Sequence, residues 1–213
     1  MTDPLGILAI WNDCAPGREA EFEEWYQHEH LAERIAVPGF LLGRRYEAVA
    51  GAPRYFAFYL TQSPDVLKSP AYLERLDNPS PLTRQIMSEP FRNAIRTVCR
   101  QSVRLGIVRG AAVAALRFEQ SPDLETLTAA IRPLMADNAV ACAEVWSAAD
   151  PQQFPVSAEE RVRGGDRKIE ACLFVETLRV SEAEQIAAAL LRQFPQAVSG
   201  VYRLLCEIRP GGT

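Results

Sequence analysis

The two histidines of this 213-residue chain lie close together, as His28 and His30 on either side of Glu29. Histidine titrates near neutral pH and burial raises the pKa of a glutamate, so these side chains suit general acid and base catalysis. At about 100° per helical residue, Glu29 falls within the apolar stripe of Phe22 and Trp25. His30 flanks that stripe, whereas His28 points away from it. We therefore predict that Glu29 and His30 are the catalytic residues.

Structural roles for the same side chains remain open. A histidine near the C-terminal end of a helix interacts favourably with the helix dipole, and Glu29 could form an ion pair with Arg44 or Arg45. A metal site is not expected, because histidines two residues apart on a helix point about 200° away from each other. The sequence also has no further histidine to complete a ligand set.

Phenol and guanidinium groups follow the histidines in the chain. Arg44 and Tyr46 share one face of a predicted strand, and Tyr55 and Tyr59 share one face of the next strand. Together they could line a cavity for an anionic or aromatic compound. Alternatively, the tyrosines are ordinary strand formers and the arginines are solvated. No glycine-rich nucleotide motif, nucleophile elbow or Glu-x-x-His motif occurs, so no cofactor is expected.

The elements that position these residues follow the order βαββαβ. Apolar runs alternate with amphipathic stretches and with Pro-Gly or Gly-Ala-Pro turns. The prolines between residues 64 and 90 allow only short helices there. The predicted elements are a strand at 5–13, a helix at 18–35, a hairpin at 40–49 and 54–62, and a final strand near 96–108.

The same order recurs from Gly110 onwards. Strands are predicted at 111–119, 139–149, 168–178 and 201–209, and helices at 123–135 and 181–194. Ser181 and Glu184 form a capping-box pattern at the start of the second of these helices. The chain therefore divides into residues 1–109, which hold the candidate site, and residues 110–213, which contain no histidine.

Each half is expected to form an antiparallel sheet covered by helices on one face only. The two bare faces can then be buried against each other, which predicts an α+β fold with sheets packed face to face. Residues 150–167 form an unusually long connection between two strands. We predict that it packs back across the molecule through Phe154 and shields one side of a pocket. The alternative is a mobile hairpin tip without a role.

Composition narrows the classes of function. With a net charge of -4 and interspersed charges, the chain has no basic patch for nucleic acid or an anionic membrane surface. The five cysteines are scattered and are expected to be reduced core residues. No apolar run reaches the roughly 18 residues of a membrane span, and no signal-peptide pattern opens the sequence, so we expect a cytoplasmic protein.

Residues 21–48, EFEEWYQHEHLAERIAVPGFLLGRRYEA, and the later run RYFAFYLTQSPDVLKSPAYL resemble the EthD-like branch of the dimeric α/β-barrel (ferredoxin-like) superfamily. The residues that match are Trp25, Tyr26, Glu29, His30, Leu31, Pro38, Gly39, Phe40, Arg45 and Tyr46. Ala32 and Glu33 follow Leu31 at the place where the family often has a proline. This difference weakens the acid-base role that the resemblance implies for His30. The resemblance implies two tandem ferredoxin-like halves that form an intramolecular dimeric α/β-barrel.

Members of that superfamily include cofactor-free isomerases, dehydratases, polyketide cyclases and small monooxygenases. The first hypothesis is a cofactor-independent lyase, isomerase or cyclase that acts on a small aromatic or polyketide-like compound, in which His30 and Glu29 move protons. The expected substrate-binding residues are Trp25, Tyr26, Arg44, Arg45, Tyr46, Tyr55 and Tyr59. The alternative hypothesis is a non-catalytic ligand-binding or structural protein of the same fold. In both cases the chain could form a homodimer.

Overall fold

Eight strands are present in the computed structural model, which describes residues 4–211. They are β1 (Gly6–Cys14), β2 (Phe40–Gly51), β3 (Tyr55–Thr61), β4 (Phe91–Leu105), β5 (Ala112–Phe118), β6 (Val140–Ala148), β7 (Ala171–Thr177) and β8 (Val198–Ile208). The predicted order is confirmed. β4 starts at Phe91, five residues before the predicted start, because Phe91 already pairs with Cys14 of β1.

The helices lie between the strands in the predicted places. They are α1 (Glu19–Trp25), a π-helical turn (Tyr26–His30), α2 (Leu31–Ile35), a 3-10 turn (Pro64–Lys68), α3 (Pro70–Asp77), α4 (Pro81–Ser88), α5 (Leu124–Ile131), a 3-10 turn (Arg132–Ala136), a 3-10 turn (Pro151–Gln153), α6 (Ala158–Val162) and α7 (Val180–Gln193). The capping box predicted at Ser181 is wrong: α7 starts at Val180, and Ser181 Oγ donates to Glu182 instead. No helix in residues 4–211 is long and apolar enough to cross a membrane.

The strands close into one barrel in the order β1-β3-β2-β8-β5-β7-β6-β4. Strands β1 to β4 form one side and β5 to β8 form the other, and the pairs β2–β8 and β4–β6 join the two sides. The predicted face-to-face packing of two separate sheets therefore needs correction. The inward faces do meet, but both edges of each sheet are hydrogen-bonded to the other sheet, which leaves no free edge.

Aromatic side chains fill the inside of the barrel. Trp11 stacks on Phe56 at a ring-centroid distance of 4.7 Å, and Trp146 stacks on Phe174 at 4.5 Å. Phe58 lies between these pairs, 5.3 Å from the rings of both Trp146 and Phe174. An eight-stranded barrel has an interior just wide enough for side chains. The interior is thus a packed core.

One end of the barrel holds a buried network of charges. The carboxylates of Glu144 and Glu176 are fully buried. Arg109 Nη1 bridges them at 2.7 and 3.1 Å. Arg44 also pairs with Glu176, which accepts a hydrogen bond from the Tyr46 hydroxyl at 2.9 Å. Buried charges of this kind are tolerated only while each keeps its partners.

Glu176→Gln should therefore destabilise the fold strongly. The amide keeps the shape but removes the charge that Arg44 and Arg109 share, and breaking a buried ion pair costs about 3–5 kcal/mol. Urea unfolding of the variant, beside an exposed-helix control such as Glu184→Ala, measures this cost. A loss below about 1 kcal/mol would contradict the network's structural role.

The connection from β6 to β7 begins and ends on the side formed by β5 to β8, and its middle packs on elements of the other side. Within it, α6 lies against α3 and α4. Phe154 packs on the apolar cluster of the first side, with Lys68 Nζ 5.9 Å from its ring centroid. The prediction that this connection packs back through Phe154 agrees with the structure. The predicted boundary at 109/110 falls in the turn between β4 and β5, and the division of the chain into two halves there stays a prediction.

Candidate functional site

A π-helical turn interrupts the first helix where the two histidines lie. The amide of Leu31 donates to the carbonyl oxygen of Tyr26, five residues earlier, instead of four. Such wide turns are common at functional sites. Beyond Tyr26 the assumption of about 100° per residue therefore no longer holds. The turn directs His30 into the protein, where 6% of its surface is exposed.

His30 is surrounded by aromatic rings. Its ring centroid lies 4.2 Å from that of Trp25, 5.2 Å from Tyr26 and 6.5 Å from Tyr59. Nδ1 is fully buried and has no hydrogen-bond partner among residues 4–211. Burial, together with the positive charge of Arg34, lowers the pKa of His30 well below its ordinary value of 6.5. The imidazole is therefore neutral at pH 7.

A cavity of about 20 Å³ borders His30, with room for about one water molecule. It lies between the outer face of the first-half sheet and the helices, and the β6–β7 connection contributes to its wall. Tyr26, Tyr59 and Tyr72 contribute phenol groups to the lining, and Leu8, Ile10 and Phe91 contribute apolar surface. An aromatic compound would fit only after the wall moved.

Two further polar atoms beside this cavity lack partners. Arg34 forms an ion pair with Glu159 through Nη2, while its Nη1 is buried without a hydrogen bond in the described chain. The hydroxyl of Tyr59 is also buried and unpartnered, and burial raises its pKa well above 10. Leaving buried polar groups without partners is costly. All three residues with these unpartnered atoms, Arg34, Tyr59 and His30, line the same cavity.

Charged residues from the β6–β7 connection complete the wall. Arg163 forms a two-pronged pair with Asp166, at 2.9 Å from Nε and 2.6 Å from Nη2. Arg96 of β4 donates to the Tyr72 hydroxyl at 2.9 Å. Three guanidinium groups (Arg34, Arg96, Arg163) against two carboxylates (Glu159, Asp166) leave a net charge of +1 around the cavity. An anionic compound or intermediate is favoured there.

Glu29 lies outside this cavity lining. Its Oε1 accepts hydrogen bonds from Ser80 Oγ at 2.6 Å and from Thr83 Oγ1 at 2.7 Å. These residues form the N-terminal turn of α4, where a carboxylate also interacts well with the helix dipole. Trp25 Nε1 donates to the same Thr83 hydroxyl at 2.9 Å. Glu29 thus joins the first helix to α4, and neither the pairing with His30 nor an ion pair with Arg44 or Arg45 is observed.

The predicted binding residues separate into two groups. Tyr26 and Tyr59 line the cavity, and the Trp25 ring lies beside that of His30 at an interplanar angle of 36°. Tyr55 lies on the same outer face of the sheet, beside Arg45.

Arg45 lies over the Tyr26 ring at 4.1 Å and pairs with Glu23, so it is next to the cavity. Arg44 and Tyr46 alternate with Arg45 along β2 and point into the barrel, where they contact Glu176. The structure does not bring them to this site.

Several wall residues were not predicted from the sequence. They are Arg34, Tyr72, Arg96, Glu159, Arg163 and Asp166. Arg34 follows His30 by four residues and so shares its helix face, which is a usable signal. The unusual length of the β6–β7 connection is the only sign of a role for the last three residues.

Comparisons with known proteins identify the fold. The chain is similar to an anthrone oxidase-like protein (12% identity, TM-score 0.67, covering 99% of this chain and 94% of that one). It is also similar to a candidate monooxygenase from Fusobacterium nucleatum, with 9% identity and a TM-score of 0.56 over 100% of this chain and 98% of that one. A third similar structure is a mutant chlorite dismutase from Candidatus Nitrospira defluvii, with 10% identity and a TM-score of 0.51 over 95% of this chain and 92% of that one. No protein-family model and no curated protein matches the sequence. These likenesses show the fold alone, an α+β barrel of eight strands. No cluster of three or more His, Cys, Asp or Glu side chains in residues 4–211 is arranged to hold a metal ion.

Glu29→Gln should lower stability and leave ligand binding intact. The amide weakens two hydrogen bonds at the start of α4, and hydrogen bonds to a charged group contribute about 1.5–3 kcal/mol each. We expect a loss of about 2 kcal/mol in urea unfolding. Glu24→Gln, an exposed change on the same helix, is the control. Unchanged stability with lost binding would instead support a catalytic Glu29.

The lowered pKa of His30 predicts a stability that falls in acid. Below pH 6.5 the unfolded chain takes up a proton at this residue and the folded chain does not, so the free energy of unfolding drops by about 1.4 kcal/mol per pH unit. The free energy of unfolding stops falling once the pH is below the pKa of His30 in the folded protein. Above pH 6.5, His30 makes stability no more dependent on pH, because it is neutral in both the folded and the unfolded chain. When the free energy of unfolding is measured between pH 7.5 and 5, it should fall less steeply with decreasing pH in His30→Phe than in the wild type. Equal slopes for wild type and His30→Phe would contradict the lowered pKa, and His28→Gln serves as the exposed control.

Proposed function

We propose that this protein is a cofactor-independent enzyme that removes a proton from a small aromatic ketone or phenol. The observation that carries the proposal is a buried, neutral His30 beside two unpartnered donors, the Tyr59 hydroxyl and Arg34 Nη1, around one cavity. A neutral imidazole can accept a proton, and two donors held away from water can stabilise the anion that forms. The proposal does not include Glu29, which is bound at α4.

The proposed reaction starts with proton transfer to the imidazole of His30. For an aromatic ketone the C–H bond beside the carbonyl breaks, and its electron pair moves onto the carbonyl oxygen to give an enolate. Tyr59 then donates a hydrogen bond to this oxygen, and the charge of Arg34 stabilises it. Arg96 and Arg163 add positive charge around the same cavity. The enolate in turn stabilises the protonated His30.

The structural neighbours support this class of substrate. One of them is described as anthrone oxidase-like and another as a candidate monooxygenase. Anthrone is an aromatic ketone with an acidic methylene group, so its deprotonation is the step proposed here. Reprotonation of the enolate at another position would make the enzyme an isomerase, and reaction of the enolate with O₂ would make it an oxygenase.

The finer classification rests on the sequence and on the element order. We infer a tandem duplication in the EthD-like branch, because β1 to β4 and β5 to β8 repeat one order of strands and helices. In this proposal only the first half keeps a catalytic histidine, and the β6–β7 connection of the second half completes the site. The cytoplasmic location and a homodimer stay predictions.

Substrate access requires a movement of the β6–β7 connection. The cavity of about 20 Å³ is much smaller than the 300–1,000 Å³ of ordinary ligand sites. The ion pair between Arg34 and Glu159 joins the first helix to the connection directly beside His30. Opening this pair would free Arg34 for the substrate oxygen.

Incubation with anthrone in deuterated buffer tests the proposal. The wild type should accelerate deuterium uptake at the methylene carbon, measured by NMR without O₂, and His30→Phe should lose at least 100-fold of this rate. His28→Gln should retain the wild-type rate. O₂ uptake in a parallel experiment distinguishes an oxygenase from an isomerase.

The same samples discriminate between the two functional hypotheses. Binding of anthrone and of related phenols without any proton exchange would contradict catalysis and favour the ligand-binding alternative. Equal exchange rates in the wild type and His30→Phe would remove His30 from the mechanism.

A further inference from the structure

A cleft of about 770 Å³ lies beside the β6–β7 connection, apart from the cavity that borders His30. The connection leaves β6 at Ala149, whose amide donates to the carbonyl oxygen of Val98, and it returns at Arg167, whose amide donates to that of Ala94. Both of its ends are therefore hydrogen-bonded to β4, and residues between them contribute to the lining of the cleft. Ordinary sites for small organic ligands have volumes of about 300–1,000 Å³. The cleft is thus large enough for such a ligand as it stands.

The cleft and the His30 cavity adjoin each other. They share one wall residue, Arg96 of β4. Two consecutive residues of α6 divide between them, because Glu159 lines the cavity and Glu160 lines the cleft. The smaller space must open to admit an aromatic compound, whereas the larger one need not.

Much of the cleft lining is apolar. The connection contributes Phe154, Pro155 and Val156, of which Val156 is 57% exposed. The side chains of Val98 and Ile169, which are buried in the protein, line it as well. Apolar and ring-shaped side chains of this kind favour a ligand with an apolar or aromatic body, which leaves water on binding.

The charged residues of the lining are mainly acidic. Four carboxylates against two cationic groups leave a net charge of -2, whereas the net charge around the His30 cavity is +1. Charges of this sign attract a cationic ligand and repel an anionic one. The carboxylates belong to Glu119, Asp150, Glu160 and Glu170, and the cationic groups belong to Arg96 and Lys168.

Both cationic groups already have partners within the chain. Lys168 Nζ pairs with Glu160 at 3.0 Å. Arg96 donates at 2.9 Å to a tyrosine hydroxyl that belongs to the lining of the His30 cavity. Of the remaining carboxylates, that of Glu119 pairs with Arg167 at 2.7 Å. Only Asp150 and Glu170 are left among the charged residues of the lining.

Asp150 and Glu170 form no ion pair with any residue in 4–211, and neutral groups donate to them. Glu170 Oε2 accepts a hydrogen bond from the Ser121 amide at 2.8 Å. Asp150 accepts from the Gln152 amide at 3.0 Å and from Gln153 Nε2 at 3.4 Å. Both negative charges therefore lack a counter-charge from within the described chain.

We propose that the cleft is a binding site for an organic amine with an apolar or aromatic body. The protonated amino group lies against Asp150 and Glu170, which accept its N–H hydrogen bonds and balance its charge. The apolar body lies on Phe154, Pro155 and Val156.

This proposal does not depend on the catalytic role of His30. None of the three residues of the proposed proton transfer, His30, Tyr59 and Arg34, lines the cleft. The two spaces also differ in the sign of their charge, so a compound that suits one is disfavoured in the other.

Binding of three compounds that carry the same naphthyl ring to the full-length protein tests the proposal. At neutral pH naphthylethylamine is a cation, naphthylethanol is uncharged and naphthylacetate is an anion. Calorimetry should show one saturable site for the amine, with an affinity at least tenfold higher than that of naphthylethanol. Naphthylacetate should bind to the cleft more weakly than either of the others.

Variants of the two carboxylates test the source of the preference. Asp150→Asn and Glu170→Gln keep the hydrogen-bond acceptors and each remove one charge. Each should weaken amine binding about threefold and both together about tenfold, while the affinity for naphthylethanol stays the same. Val156→Lys, at an exposed position, adds a positive charge to the cleft and should also weaken amine binding. Glu184→Gln, which removes an exposed carboxylate of α7 outside the cleft, is the control.

Methyl NMR of the wild type locates the amine without depending on the stability of any variant. The amine should shift the methyl signals of Ile169, in the cleft lining, and leave those of Ile10, in the lining of the His30 cavity, in place. Absence of saturable amine binding, equal affinity for naphthylacetate, or wild-type affinity in the double variant would overturn the proposal. A shift of Ile10 without one of Ile169 would place the amine beside His30 and overturn it as well.

Discussion

The closure of the barrel through β2–β8 and β4–β6 is the constraint on which the remaining structure depends. These two pairs convert the inner faces of both sheets into a sealed core. Stacked pairs such as Trp11–Phe56 and Trp146–Phe174 then fill this core. A ligand of aromatic size has no room inside. Small-molecule chemistry is consequently directed to the outer face, between the sheet and the helices, where His30 lies.

The cost of buried charge then determines which groups remain available for chemistry. Arg45 is paired with Glu23 and Arg44 with Glu176, so both have structural partners. Glu29 is held by two hydroxyl groups at the start of α4. His30 Nδ1, the Tyr59 hydroxyl and Arg34 Nη1 belong to residues that line the cavity, and no hydrogen bond within the described chain satisfies these three atoms. For this reason the proposed function rests on them rather than on the more conspicuous Glu29.

The sequence predicted the order of the elements, because turn residues and hydrophobic periodicity are local signals. It also predicted that the 150–167 connection packs back on the molecule through Phe154. It could not reveal the π-helical turn, which depends on tertiary packing. A register shift between Phe40 and Leu42 similarly placed Phe40 and Arg44 on opposite faces of β2, although their spacing predicts one face. Glu159 and Arg163 join the site through a contact over more than 100 residues of chain, which no local pattern encodes.

We expect ligands to bind on the outside of the sheet, beside His30, and not inside the barrel. NMR of the histidine and tryptophan side chains during titration with 1-naphthol tests this claim directly. The signals of the His30 ring and of the Trp25 indole, whose ring centroids are 4.2 Å apart, should shift together while that of the Trp146 indole does not move. A saturable shift of Trp146 with unchanged His30 would place the ligand inside the barrel and contradict the account.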